Sequence, residues 1–198
     1  MAGVFDTVIT QGVRSGKIPA RSAQAREWYR DKAKGYSKIS DRVLMREDPE
    51  RLTSTIKPGD MYMYKYDPKF KDTLPFYDMF PLVFPFKVES DRFWGINLHY
   101  LPLPYRAILM DGLYELANNK RYDETTRLQM NYKALAGAAK FRYFEPCVKQ
   151  YLFSHLQSRF LYVYPSEWDI ALFLPVEKFQ KASKEAVWAA SKKQIGAS

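Results

Sequence analysis

The sequence predicts an α+β fold, built on a small SH3-like or OB-like β-barrel of about five strands with a helical insertion and terminal helices. Three observations predict it. Five segments are short and rich in β-prone residues, a long stretch with helical periodicity separates the third from the fourth, and helical patterns flank the whole set. An α+β sheet that carries helices on one face is the alternative, because five short strands are compatible with several closures.

The first 58 residues are predicted to form a basic N-terminal arm and a helix. Residues 1–21 are small, polar and glycine-containing, and they are predicted to have no core of their own. Ser22 is a typical helix-capping residue and Gly35 a typical helix terminator, so a helix is predicted between them. Residues 36–58 are predicted to be a linker.

A barrel domain is predicted over residues 59–198. Its first strand follows Gly59, and the next two strands are joined by a tight turn from Glu89 to Arg92. Pro81 and Pro85 lie four residues apart, on one side of the second strand. Because a proline cannot donate to a hydrogen-bond ladder, this strand is predicted to lie at a sheet edge or a barrel rim.

Helical periodicity covers about residues 102–158, where an insertion of three helices is predicted. The third of these helices begins at Glu145. Two strands, at residues 160–164 and 169–174, are predicted to follow around a turn. A basic amphipathic helix is predicted to end the chain.

The formal net charge is +9, and the positive excess lies near the two ends of the chain. Ten lysine or arginine residues oppose three acidic residues between Arg14 and Arg46, and five lysines oppose one glutamate between Lys178 and Lys193. This distribution favours an anionic partner such as nucleic acid, an anionic membrane or an acidic protein. No apolar run reaches the length of a membrane span, so no spanning helix is predicted.

Few residues are available for catalysis. The chain has two histidines and a single cysteine, with no HExxH, GxGxxG, P-loop or CxxC motif. Cys147 and His155 lie about 12 Å apart on one predicted helix, too far for a nucleophile and its base. His99 is predicted to be a half-buried strand residue. No catalytic residue, cofactor, metal or small-molecule substrate is predicted, and the single cysteine predicts synthesis in a reducing cytoplasm.

Four aspartates near lysines raise the alternative of a metal-dependent nuclease, which needs two or three converging carboxylates. They are Asp60, Asp67, Asp72 and Asp78. Asp67 precedes a proline and Asp78 lies between aromatic residues, so both are interpreted as turn and strand-edge residues. The turn at Asp67 is predicted to present two lysines to solvent.

Basic residues interleaved with aromatic ones are the predicted binding residues. The helical pattern places Arg26, Arg30 and Lys34 on one face, which is either solvated or lies on phosphates. The aromatic residues between Tyr62 and Tyr77 either fill a core or form a stacking surface. The residues predicted to bind nucleic acid are Arg14, Lys17, Arg21, Arg26, Arg30, Lys34, Lys65, Lys69 and Lys71.

Three stretches of the sequence resemble a family of virion-associated proteins of T-even-like tailed bacteriophages. They are YKYDPKFKDTLPFYDMFPLVFPF, FWGINLHYLPLPYR and EWDIALFLPVEKF, and the resemblance spans roughly Gly59 to Lys193. The family is that of the DNA end protector and head-completion protein. The resemblance implies a non-enzymatic virion protein, made in the host cytoplasm, which binds the ends of packaged double-stranded DNA and shields them from host exonuclease.

An assembly role is the alternative to this function. Basic arms that order only on contact with a neighbour also suit a structural protein of a tail, neck or baseplate. Its partners would then be other virion proteins, bound through the arms and the strand that is rich in proline and aromatic residues.

Overall fold

The computed structural model describes residues 3–19, 22–117 and 142–196, which contain six α-helices and eight β-strands. The helices are α1 (Val4–Arg14), α2 (Ala23–Lys34), α3 (Asp41–Glu47), α4 (Leu103–Ala117), α5 (Trp168–Phe173) and α6 (Lys184–Gly196). The strands are β1 (Leu52–Thr53), β2 (Met61–Met63), β3 (Tyr77–Asp78), β4 (Leu82–Val88), β5 (Arg92–Asn97), β6 (Val148–Leu152), β7 (Phe160–Val163) and β8 (Phe179–Gln180).

Six strands form one open antiparallel sheet in the order β1-β7-β2-β4-β5-β6, while β3 pairs with β8 in a separate ribbon. The predicted α+β class is therefore confirmed. The SH3-like or OB-like barrel is not confirmed, since the described strands do not close on themselves. The helices pack on one face of the sheet, which is the arrangement of the alternative.

Each face of the sheet has its own apolar cluster, because side chains alternate along a strand. Met61 and Met63 of β2 lie in the core that the sheet forms with the helices. Tyr62 points to the opposite face, where an aromatic cluster forms. That cluster consists of Tyr62, Tyr64, Tyr66, Val83, Phe93, Tyr151 and Phe160. The core interpretation is thus confirmed for the three tyrosines of the segment that sequence reasoning had left open.

The N-terminal segment is packed onto the domain. Helix α1 buries Val4, Phe5 and Val8, and the backbone N–H of Val4 donates to Glu47 Oε2 at 2.8 Å. The prediction of an arm without a core is therefore wrong for residues 4–14. Apolar residues at helical spacing supply a core face that the polar composition concealed.

The helix predicted after Ser22 is confirmed as α2. The Ser22 hydroxyl accepts a hydrogen bond from the backbone N–H of Ala25 at 3.1 Å, as a helix cap does. Residues 36–58 are not a plain linker, because they contain α3 and strand β1, which pairs with β7. The domain boundary placed at residue 58 stays a prediction.

Two predicted elements have the opposite secondary structure. Of the three insertion helices, the first is confirmed as α4 and the second lies outside the described residues. The third is wrong, because Val148–Leu152 forms strand β6 along the free edge of β5. The predicted strand at residues 169–174 is instead helix α5, whose six residues are all buried. An apolar run of that length does not distinguish a buried strand from a buried helix.

The predicted hairpin between β4 and β5 is confirmed, but β4 is not an edge strand. It lies between β2 and β5, and the ladder shifts register between Pro85 and Lys87. A bulge is a place where a sheet tolerates proline, so the missing N–H does not force the strand to the edge. Opposite Pro85 stands Gly95, where an added Cβ would lie 2.2 Å from Val83 Cγ1.

Candidate nucleic-acid interface

An open cleft of about 480 Å³ lies beside strand β6, and we call it the β6 cleft. One wall is the segment Tyr66–Asp78, and the other comes from β6, Tyr100 and Arg92. The segment leaves the sheet at Tyr66, whose N–H donates to Met79 O at 3.0 Å, and it turns at once because Lys71 N–H donates to Pro68 O at 3.2 Å. The turn predicted at Asp67 is therefore confirmed.

Six aromatic residues line the cleft. They are Tyr66, Phe70, Phe76, Tyr77, Tyr100 and Tyr151. The rings of Tyr66 and Tyr151 pack edge to face at 5.0 Å, and those of Phe76 and Tyr100 lie 6.0 Å apart. Phe70 is 62% exposed although it is large and apolar. Tyr66, Tyr100 and Tyr151 are more than nine-tenths buried, whereas Phe76 and Tyr77 are partly exposed. The exposed ring surface of the cleft therefore comes from the segment Tyr66–Asp78.

Lys149 is a partly buried cation in the cleft. Its Nζ lies 4.2 Å from the centre of the Tyr100 ring, and burial lowers the pKa of its ammonium group below the usual value for lysine. Within the described part of the chain, Lys149 makes no ion pair with a carboxylate. A half-buried cation that lacks an anionic partner is energetically unfavourable unless a ligand supplies the negative charge.

The neighbouring thiol does not supply that charge. Burial raises the pKa of Cys147 to about 12, so its sulfur is protonated and neutral at physiological pH. Two other cations line the cleft. Lys69 lies 5.4 Å from the Phe70 ring centre, and Arg92 forms a two-point ion pair with Asp91 at 2.9 and 2.7 Å.

Asp78 lies at the base of the cleft, and the protein itself satisfies its charge. Oδ2 lies 2.8 Å from His99 Nδ1 and accepts from Asn97 Nδ2 at 3.2 Å, while Oδ1 accepts from the N–H of Phe80 at 3.0 Å. Burial alone would raise the pKa of this carboxyl, but His99 and these donors lower it below the ordinary value. His99 is fully buried in a 3-10 turn, so the prediction of a half-buried strand residue is wrong.

The outer wall of the cleft is fastened by Lys181. Its Nζ donates to the carbonyl oxygens of Lys71, Asp72 and Leu74 at 2.6, 3.0 and 3.0 Å. Lys181 has a φ of 68°, a left-handed conformation that non-glycine residues rarely adopt. Lys181 follows strand β8, which pairs with β3, and this pairing places Lys181 beside the wall. The segment Tyr66–Asp78 is therefore held in its middle by Lys181 and at its C-terminal end by β8.

Comparison with known proteins gives one family. The family model of the Phage T4 terminal DNA protecting protein matches residues 20–195, which is most of the chain. The chain belongs to this family. No match was found among curated proteins or among solved structures.

The resemblance described from the sequence is therefore confirmed, and the match to the terminal DNA protecting protein family extends it towards the N-terminus. All eight strands and the whole β6 cleft lie inside the matched range, while helix α1 precedes it. None of the described helices has the length and apolar character that crossing a membrane requires.

The basic face predicted on α2 is largely engaged with the protein in this family member. Arg30 Nε lies 2.7 Å from Asp169, and Arg30 Nη2 lies 2.8 Å from Asp111, which Arg26 also approaches at 3.3 Å. Lys34 is exposed and pairs with Asp31 on its own helix. Helix α2 therefore uses two of its three aligned cations to dock onto α4 and α5.

The other predicted residues lie in three places. Lys69 lines the cleft, and Lys71 lies in the same segment outside the cleft lining, where it pairs with Asp67 at 3.0 Å. Lys65 Nζ lies 3.2 Å from Asp41, a carboxylate that Lys178 shares. The remaining three are Arg14, exposed at the end of α1, Lys17, partly buried after it, and Arg21, outside the described residues.

Sequence reasoning missed Lys149, Tyr100 and Tyr151 as site residues. Lys149 and Tyr151 had been placed on a helix, where they would not face Tyr66, and the pairing of β6 with β5 is what brings them to the cleft. Alternation of Lys149 and Tyr151 on one face of a strand was the available signal.

The four aspartates considered for a nuclease do not converge on one point. Asp78 is buried against His99, Asp67 pairs with Lys71, and Asp60 accepts from the Tyr62 hydroxyl at 3.3 Å. Among the described residues, no three histidine, cysteine or acidic side chains are grouped to hold a metal ion.

Proposed function

We propose that this protein binds the ends of packaged double-stranded DNA and shields them from host exonuclease, as a non-enzymatic component of the virion. The match to the terminal DNA protecting protein family over residues 20–195 carries the proposal. That match does not favour the alternative of a tail, neck or baseplate assembly protein.

The charge of the chain supports the proposal. A net charge of +9 suits contacts with the phosphate backbone, which are independent of sequence and weaken steeply with salt. Among the residues predicted to bind DNA, we propose phosphate contacts for those that are wholly or partly exposed, and for Arg21, which lies outside the described residues. The exposed and partly exposed ones are Arg14, Lys17, Lys34, Lys65, Lys69 and Lys71.

Arg26 and Arg30 are proposed to contribute less to DNA binding than their position in the sequence suggests. Each would have to give up an ion pair with Asp111, and Arg30 a second one with Asp169, before it could contact a phosphate. Asp169 is buried, so removing its partner has a cost to the fold.

A comparison of linear and circular DNA tests the proposal. The purified protein is titrated with a short blunt duplex and with a closed circle of the same sequence across a salt series. We expect tighter binding to the linear form, weakening steeply as salt rises. Equal and feeble binding to both forms would overturn the proposal.

Protection is measured next, by adding a double-strand exonuclease to end-labelled linear duplex with and without bound protein. We expect the terminal nucleotides to survive in the complex. Incubation with Mg²⁺ or Mn²⁺ in the absence of exonuclease is expected to leave the duplex intact, and cleavage there would contradict the non-enzymatic part of the proposal.

A further inference from the structure

We infer that the β6 cleft holds the terminal nucleotide of one DNA strand, with its base against the aromatic rings and its phosphate at Lys149 and Lys69. This inference rests on the proposed function and gives it a location. It names the group that distinguishes an end from the interior of a duplex.

The dimensions of the cleft suit one nucleotide. Its volume of about 480 Å³ lies within the range of pockets that take small ligands, and it is open on one side. A duplex is too wide to enter such a space. Only a nucleotide that has left the base stack can do so.

The ring surfaces supply binding that does not depend on base identity. Every base has a π-face, so stacking on aromatic side chains is tolerant of sequence. Phe76 and Tyr77 are partly exposed in the cleft wall, and Phe70 is 62% exposed on the same segment. The buried ring of Tyr100 lies 6.0 Å from that of Phe76 and supports it from the core. An exposed phenylalanine on a fastened loop is a suitable wedge against the last base pair.

The charges of the cleft point to an anion. Lys149 is half-buried and, among the described residues, has neither a carboxylate partner nor a thiolate beside it. Lys69 likewise forms no ion pair in the described part of the chain. The one carboxylate at the base, Asp78, is already saturated by His99, Asn97 and a backbone N–H. A nucleotide phosphate supplies the missing negative charge.

Ends are favoured because unstacking is easiest there. An interior nucleotide must be extruded against pairing and stacking on both sides, whereas a terminal one has a neighbour on one side only. The cleft would therefore bind ends in preference to interior sites, while phosphate contacts elsewhere on the protein hold any duplex.

Two cleft variants test the inference by affinity. Phe70→Ala removes an exposed ring, and Lys149→Met removes the unpaired charge while keeping an unbranched side chain. Each is expected to lower affinity for the linear duplex by about tenfold while leaving affinity for the closed circle unchanged. Ile108→Ala, at a position 65% exposed on α4, and Lys193→Met on α6 are the matched controls, and they should bind both DNA forms as the original protein does.

Photo-crosslinking tests the location directly. 5-Iododeoxyuridine is placed either at the terminal position or ten positions inside the duplex, and crosslinked peptides are identified by mass spectrometry. The terminal probe is expected to crosslink to Tyr66–Asp78, Tyr100 or Val148–Leu152. The interior probe is expected to crosslink elsewhere.

The outcomes separate this inference from the proposed function. Loss of the linear preference in the original protein would overturn both. A retained preference with cleft variants that bind ends normally, or with terminal crosslinks outside the cleft, would overturn only the inference. If the variants bind ends normally yet fail to enter virus particles, the cleft holds a protein segment rather than DNA.

Discussion

The buried cationic side chains are of two kinds. Some are paired within the protein and stabilise the fold, and others remain available to bind a ligand. Arg51 and Arg106 are both more than nine-tenths buried, and both are surrounded by acceptors. Arg106 donates to Leu101 O and Leu172 O at 2.7 Å and pairs with Glu177 at 2.9 Å. Lys149 has no such set among the described residues. The contrast is the physical reason to assign Lys149 to a ligand and the two arginines to the core.

Arg51 is expected to be essential for stability. It forms a two-point pair with the buried carboxylate of Glu167 and also pairs with Asp48. Arg51→Met leaves the buried carboxylate of Glu167 without its counter-charge and with only the N–H of Tyr164 as a remaining described donor, so we expect unfolding free energy to fall by about 3–5 kcal/mol in urea denaturation. Arg46→Met, at an exposed arginine of α3, should change it by less than about 0.5 kcal/mol. A small effect at Arg51 would mean that water replaces the arginine at Glu167.

Lys149 is expected to act in the opposite direction on stability. Because burial lowers its folded-state pKa below the unfolded value, the charged lysine destabilises the fold at neutral pH, and this penalty is relieved as pH rises through the folded pKa. Lys149→Met is therefore expected to raise the urea midpoint at pH 7 even though it weakens end binding. Lower stability in this variant would indicate a structural lysine.

The same lowered pKa predicts how end binding depends on pH. Lys149 should lose its proton at a lower pH than an ordinary lysine side chain does. As pH is raised towards 10, the ratio of linear to circular affinity should therefore fall before the affinity for the circle falls. Arginine keeps its charge throughout this range, so Lys149→Arg should hold the ratio constant. Fluorescence anisotropy with both DNA forms from pH 7 to 10 measures it, and parallel curves for the two proteins would contradict the assignment.

Elements with local signals could be predicted from the sequence, and elements defined by their neighbours could not. Ser22 and Gly35 are typical capping residues and mark the two ends of α2. The turn after Glu89 likewise indicates the hairpin of β4 and β5. Residues 148–152 carry apolar side chains at spacings that fit either structure, and the unpaired edge of β5 decides for a strand. The β6 cleft could not be predicted from the sequence, because one of its walls exists only when β6 pairs with β5.

The contact of α1 with α2 is expected to depend on one glycine. An added Cβ at Gly12 would lie 2.1 Å from the Tyr29 hydroxyl oxygen and 2.4 Å from Cζ, so Tyr29 would have to move and would lose its bond to Lys17 O. Gly12→Ala should lower unfolding free energy by about 1–3 kcal/mol through overpacking.

Gly112 in α4 provides the control for this substitution. No atom of the described residues lies within 4 Å of a Cβ added there, so Gly112→Ala should raise unfolding free energy by about 0.5–1 kcal/mol through helix propensity. Urea denaturation of both variants checks the pair. Stabilisation by both substitutions would show that α1 is not held against Tyr29.

Long-range ion pairs connect the N-terminal helices α2 and α3 to later parts of the chain. Arg30 of α2 reaches Asp169 of α5, and Asp41 of α3 accepts both Lys65 and Lys178. Burial raises the pKa of Asp41, but the two lysines outweigh it and lower the pKa below the ordinary value. Cations that composition alone assigned to DNA are therefore divided between holding the protein together and facing solvent.

Binding of the whole protein to a DNA end should consequently have two separable parts. The exposed cations set the salt dependence for any duplex, at about 0.9 in the slope of log K against log salt for each phosphate contact, whereas the β6 cleft sets the preference for ends. Arg14→Ala combined with Lys17→Ala should lower the slope by up to about 1.8. This double variant should leave the ratio of linear to circular affinity unchanged. Phe70→Ala should lower that ratio and leave the slope unchanged.

Salt titrations of the original protein, the double variant at Arg14 and Lys17, and Phe70→Ala on both DNA forms measure the slope and the ratio together. The double substitution Lys192→Ala and Lys193→Ala, which removes the same charge from the exposed surface of α6, controls for net charge alone. If it lowers the slope as much as the pair at Arg14 and Lys17, the dependence on salt reflects the field of the whole molecule rather than local contacts. If Phe70→Ala lowers the slope and the ratio in proportion, the two parts are one surface, and the cleft is a general phosphate contact.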